Sequence, residues 1–252
     1  MTPRILVTRP ADQSAELVEL LEQRGLETAA VPTVAIDGES ATSAIDAALA
    51  DLDGADWLVL TSANGARSIT RRLDATGRTL PSTTRVAAVG PATAAVLRGS
   101  GIAVDHIPAS YLTASIAGGL GPLEGRRVIL ARADAATPEL RSALDELGAR
   151  VEEVVAYRTI EGPPEGRDAL RAALHADLAG IAFTSASAVR GLMRLASPID
   201  RGRARTTPAF CIGPVTAEQA RHSGFNIPVI ATPHTAVALA DAIATHFARG
   251  DQ

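Results

Sequence analysis

The chain has 252 residues, 46% of them apolar and 21% charged, with a formal net charge of -4. That length can carry two modest domains with real cores. No apolar run approaches the ~18 residues of a membrane span, the balance of charge lacks the basic field of a nucleic-acid binder, and the default expectation is a cytoplasmic protein.

From the N-terminus, short β-branched runs alternate with amphipathic stretches. Strands are predicted over residues 5–8, 28–36, 57–61, 85–89 and 104–107, and again over 128–131, 151–160, 181–184, 209–212 and 229–231. A helix is predicted over 11–24, where Leu17, Leu20 and Leu21 share a face, and another over 139–147, closed by Gly148. Strand, helix, strand in repetition predicts an α/β protein of two doubly wound, flavodoxin-like domains with parallel sheets. In such sheets ligands bind at the carboxyl ends of the strands.

The chain also repeats itself. Shifted by 123 residues, Arg9 falls on Arg132, Thr61-Ser62-Ala63 on Thr184-Ser185-Ala186, Arg67 on Arg190, Gly90-Pro91 on Gly213-Pro214, and Thr93-Ala94 on Thr216-Ala217. One offset kept across separate segments implies two similarly built halves, and two halves imply a cleft between them. A simple boundary would fall near Gly125. Yet 33–38 and 157–162 are matched extended segments, each ending in an acidic-Gly turn, and if they pair as a ladder the chain crosses between domains at both. Periodicity does not choose between these arrangements.

The chemistry-bearing residues stand at the predicted strand ends. Ser62 and Asn64 follow the apolar run 57–60, and Ser185 follows 181–183; a hydroxyl there caps the next helix and leaves amide N–H groups able to hold a carboxylate or phosphate. For each serine taken alone, simple N-capping is the sufficient explanation; it is the pairing of such loops in both halves that points to a polyanionic ligand. Gly90-Pro91-Ala92-Thr93 and Gly213-Pro214-Val215-Thr216 repeat the theme, with Gly allowing close backbone approach and Pro suiting a first helical turn. All 24 basic residues are arginine, which excludes a Schiff-base or phosphate-loop lysine and leaves anion recognition to Arg forks, helix N-termini and hydroxyls. The five histidines have no metal-ligand spacing, Cys211 sits inside an apolar strand as a core residue, and no cofactor fingerprint is present.

Taken in order, Val-Thr-Arg-Pro (7–10), Leu-Thr-Ser-Ala-Asn-Gly-Ala (60–66), Val-Gly-Pro-Ala-Thr-Ala (89–94), Val-Val-Ala-Tyr-Arg-Thr (154–159), Phe-Thr-Ser (183–185) and Ile-Gly-Pro-Val-Thr-Ala (212–217) resemble the bacterial uroporphyrinogen-III synthase family over essentially the whole chain. The resemblance implies a cytoplasmic, monomeric, cofactor-free enzyme that closes hydroxymethylbilane, a linear tetrapyrrole with eight carboxylates, by dehydration with inversion of the last ring. It implies a discontinuous first domain (1–34 and 163–252), a second domain (39–156), and linker strands at 35–38 and 157–162. It makes Tyr157 the group that assists departure of the hydroxyl. Thr93, Thr216, Gly213, Ser62, Ser185 and Arg9 become substrate-binding, with Asn64 standing where some members carry a basic residue. Arg132, the repeat mate of Arg9, either faces the cleft too or pairs with Asp134. The only macromolecular partner implied is the preceding bilane-forming enzyme, in transient contact; neither nucleic acid nor membrane is. Two other classes share these features: a non-catalytic two-lobed binding protein for a small polyanion, and a sugar-nucleotide transferase.

Overall fold

The computed structural model describes residues 2–109 and 113–250. In chain order they form β1 (Arg4–Val7), α1 (Ala15–Glu22), β2 (Glu27–Ala30), β3 (Val34–Asp37), α2 (Thr42–Ala50), β4 (Trp57–Leu60), α3 (Ala63–Thr76), β5 (Arg85–Ala88) and α4 (Pro91–Gly99). There follow β6 (Arg127–Ala133), α5 (Glu139–Glu146), β7 (Arg150–Glu161), α6 (Arg167–His175), β8 (Gly180–Phe183), α7 (Ala186–Leu195), α8 (Pro198–Thr206), β9 (Ala209–Cys211), α9 (Pro214–His222), β10 (Val229–Ile230) and α10 (Ala236–Gly250).

Three expected elements differ from the structure. The run 28–36 is two strands, because Pro32 has no N–H to give a ladder while Val31 and Thr33 on either side donate to Val7 and Thr8. The stretch 104–107 is reduced to one bridge, His106 to Ala87, since the Asp105 carboxylate takes the N–H of Val86 that a strand would have used. The helix 11–24 is broken at Ser14, whose hydroxyl donates back to the Ala11 carbonyl and closes a separate 3-10 turn at Ala11–Gln13.

The residues group into two compact units, Met1–Ala35 with Ile160–Gln252, and Ile36–Thr159. The first holds the sheet β10-β9-β8-β1-β2, parallel throughout. Counted along that unit, its order is 2-1-3-4-5, the flavodoxin arrangement. Along β1, Leu6 enters one core with Ile181, Phe183, Val189 and Leu192, while Ile5 and Val7 enter another with Leu17, Leu21, Phe210 and Leu239. A strand covered on both faces has no polar side to present, which is why these runs are continuously apolar.

The second sheet runs β3-β7-β6-β4-β5, with β5, β4, β6 and β7 parallel. Leu58, Leu60, Ile129 and Ala131 face one core; Trp57, Val59, Val128 and Leu130 face the other. Strands related by the 123-residue shift hold the same places in the two sheets: β9, β8 and β1 in the first correspond to β5, β4 and β6 in the second. Each sheet is thus assembled from both repeats. The chain passes from one unit to the other inside β3, at Ala35 and Ile36, and inside β7, at Thr159 and Ile160.

The helix starts repeat as closely as the sheets. Ser62 (φ -159, ψ 155) and Ser185 (φ -159, ψ 156) cap α3 and α7, accepting from the N–H of Gly65 and of Ala188, each at 3.1 Å. Loss of such a cap costs about 1 kcal/mol. Ser185→Ala is therefore expected to lower the unfolding free energy by about that amount, measured by urea denaturation; an unchanged midpoint would mean that the hydroxyl does not cap α7 in solution.

Candidate active site

Four loops at the carboxyl edges of the sheets carry the repeated motifs. Two are the serine caps just described. The other two start α4 and α9 at Gly90 (φ -169, ψ 179) and Gly213 (φ -169, ψ 175), each followed by Pro in the first turn. Both glycines are simply extended. What Gly213 needs is room, because a Cβ there would lie 3.3 Å from the ring of His234, which is itself held by a hydrogen bond between Nδ1 and the Ala231 carbonyl. Thr93 and Thr216 stand in the first turns of α4 and α9 and are buried. Among the described residues no side-chain hydrogen bond engages either hydroxyl.

Tyr157 is placed by an irregularity of β7. Pairing with β6 runs Ala131 to Val154 and Arg132 to Val155, then slips so that Ala133 meets Tyr157. Ala156 is the extra residue, and Ala156 and Tyr157 are consecutively buried where the alternation of the strand would have exposed one. The slip sets the phenol level with the end of β6. Its pKa is raised, first by burial; the Ser62 hydroxyl draws it partway back, and the negative charge of Asp134 adds to the rise. Ser62 can serve two roles at once, its oxygen accepting from the Gly65 N–H while its own proton is left for the phenol oxygen beside it. A Cβ at Gly65 would meet Ser62 Oγ at 3.4 Å and Ala156 at 3.8 Å, ordinary contact distances, so the start of α3 lies close to β7 without depending on glycine there.

The arginines separate into neutralised and available ones. Arg132 is buried, paired with Glu153, and its Nη1 donates to the Thr137 carbonyl. Its partner is therefore not Asp134: Glu153 lies on the neighbouring strand, opposite Leu130, where sequence proximity gives no hint of it. Arg9 donates to Glu16 at 3.2 Å, but that carboxylate is 64% exposed, a weak tie in water. Asn64 accepts at Oδ1 from Arg67 Nη1 at 2.9 Å, a link absent from the sequence reading although Arg67 is part of the repeat. Cys211 is fully buried in β9 and its thiol is pushed up to about 12 by burial, so it is packing rather than a nucleophile.

The fold and these loops define a doubly wound α/β protein of two units, each presenting capped helix N-termini at the carboxyl edge of its sheet. A family model described as "Uroporphyrinogen-III synthase HemD" matches residues 15–241. The chain belongs to the uroporphyrinogen-III synthase family. It is 34% identical over 194 residues to the uroporphyrinogen-III synthase of Synechococcus elongatus, covering 76% of this chain and 74% of that one. It is 29% identical over 225 residues to the porphyrin biosynthesis protein HemD of Ruminiclostridium josui, covering 86% of this chain and 44% of that longer protein. In fold it is similar to a mutant uroporphyrinogen III synthase of Thermus thermophilus, with a TM-score of 0.67 at 21% identity and full coverage of both chains.

Proposed function

We propose that this chain closes hydroxymethylbilane to uroporphyrinogen III, with Tyr157 as the donor to the departing hydroxyl. The reading is supported by family membership over residues 15–241, and its catalytic part is carried by one observation: a buried phenol of raised pKa beside the Ser62 cap at the end of β6. Loss of the hydroxyl as water leaves an azafulvene. Attack by the substituted carbon of the last ring gives a spiro intermediate, and fragmentation with reclosure gives the asymmetric macrocycle. A phenol whose pKa lies above its ordinary range stays protonated through neutral pH and can donate a hydrogen bond or proton to the leaving oxygen. The Ser62 hydroxyl then stabilises the phenolate that results.

The bilane also closes unaided to the symmetric isomer, so the protein must mainly hold one geometry. Arg9, Ser62, Asn64, Thr93, Ser185, Gly213 and Thr216 supply that hold, as hydroxyls, amide N–H groups and a guanidinium directed at carboxylates. The functional lobes in this reading are 1–34 with 163–252, and 39–156, joined by 35–38 and 157–162; the division of contacts at Ala35 and Thr159 supports it. The enzyme works as a cytoplasmic monomer in transient contact with the bilane-forming enzyme, a handover that suits so labile a substrate. Incubating the protein with enzymatically generated bilane and separating the product isomers tests the reaction: mostly symmetric product, as without enzyme, would refute it.

Substrate binding has its own check. Arg9→Ala and Thr216→Val are each expected to weaken product binding by about tenfold, since a hydrogen bond to a charged group is worth about 1.5–3 kcal/mol. Their melting temperatures should stay within a few degrees of the parent. Unchanged affinity in both variants would remove these residues from the site.

A further inference from the structure

Arg67 and Arg190 hold equivalent positions in the two repeats, the fifth residue of α3 and of α7. Their surroundings differ in kind. Arg190 is neutralised, its Nε donating to Glu161 Oε1 at 2.8 Å and its Nη1 to Gln219 Oε1 at 3.2 Å. Arg67 instead donates to the neutral amide of Asn64, and among the described residues no carboxylate pairs with it. A helical side chain leans toward the N-terminus of its helix, and the bond to Asn64, three residues back, fixes Arg67 in that direction. The guanidinium is thus carried toward the start of α3, where Ser62 meets the phenol of Tyr157. The positive end of a helix gains nothing from a cation, so helix stability does not explain the arrangement. An anionic ligand does.

We infer that Arg67, aimed by Asn64, binds a substrate carboxylate next to Tyr157 and fixes which end of the bilane faces the phenol. The inference rests on the proposed reaction. A guanidinium already tied at one nitrogen keeps further N–H groups for a carboxylate, and its half-buried position removes part of the water that would otherwise screen the contact. Because the binding is charge-assisted, it strengthens as salt falls.

The test uses Arg67→Met, which keeps the aliphatic stem, Arg67→Lys, which keeps a charge without the fork, and Arg190→Met as the neutralised counterpart. Expected for Arg67→Met are a KM for bilane about tenfold or more above the parent, from the loss of one charge-assisted contact, a flatter dependence of KM on salt, and an unchanged melting temperature. Arg67→Lys should recover part of the loss, and Arg190→Met should keep the KM of the parent. A parental KM and salt dependence in Arg67→Met would overturn the inference. So would equal defects in the Met and Lys variants that follow their melting temperatures, since those would mark a structural role. If the unaltered protein itself yields no asymmetric product, the proposed reaction fails, and that result is distinct from a normal protein with an indifferent Arg67.

Discussion

Tyr157→Phe will keep the ring and its packing, bind bilane, and turn it over about 10²–10⁴-fold more slowly, the range that general acid assistance supplies. In the proposed site the carboxylate contacts lie on other residues, so affinity is expected to be retained. Unassisted closure then claims more of the substrate, and the product shifts toward the symmetric isomer, which a separation of isomers reads directly. The pKa of the phenol sharpens this expectation: burial and Asp134 hold the proton on the oxygen, and phenylalanine removes that proton with little change in shape. Full activity in Tyr157→Phe would eliminate the phenol as a donor and leave a site acting through geometry and backbone amides.

Gly191→Ala will destabilise the first unit by about 3 kcal/mol or more, the upper part of what overpacking costs. Inside an ordinary helix the change would help by up to ~1 kcal/mol. Here the new Cβ would stand 1.9 Å from the Thr33 carbonyl oxygen, and that backbone has nowhere to go: the Thr33 oxygen accepts from Gly162 N at 2.9 Å and the Thr33 hydroxyl donates to the Ala188 carbonyl at 2.8 Å. Gly202, in α8 with nothing within 4 Å of its added Cβ, provides the comparison, and Gly202→Ala should be neutral or slightly stabilising. Urea denaturation of both variants decides the matter; equal stability of Gly191→Ala and the parent would show that α7 and Thr33 can separate freely.

Much of the fold is legible because two-sided burial writes continuous apolar strands such as Trp57-Leu58-Val59-Leu60, and because a hydroxyl directly after such a run, as at Ser62 and Ser185, has a local reason to cap the next helix. What escapes is decided by contacts between distant residues. Nothing local reveals that Glu153 rather than Asp134 neutralises Arg132, since that choice is made by strand register. Nor does hydrophobicity mark the slip at Ala156: Val154-Val155-Ala156-Tyr157 reads as unbroken strand, yet the slip is what sets the phenol. The link from Asn64 to Arg67 falls between these cases. Its three-residue spacing on one helix is a readable signal, but choosing that partner over an acid elsewhere required the structure. Pro32 does carry a local signal for the break, since it has no N–H to give a ladder, but the β-branched residues around it favour a continuous strand.

The assembly of each sheet from both repeats bears on how the protein emerges from the ribosome. Ile36–Thr159 is continuous in the chain, so every strand it needs is adjacent in time of synthesis. The other unit has no such advantage: β1 is made first, yet its neighbour β8, where Gly180 stands opposite Ile5, follows only after the whole intervening unit. Such long separations between partners slow pairing, and domains tend to fold as they are completed. The later-made half of the chain therefore sets the pace, and the segment bearing Arg9 must wait, with Ile5, Leu6 and Val7 able to pair with β2 but lacking their second neighbour, until residue 180 and its neighbours arrive.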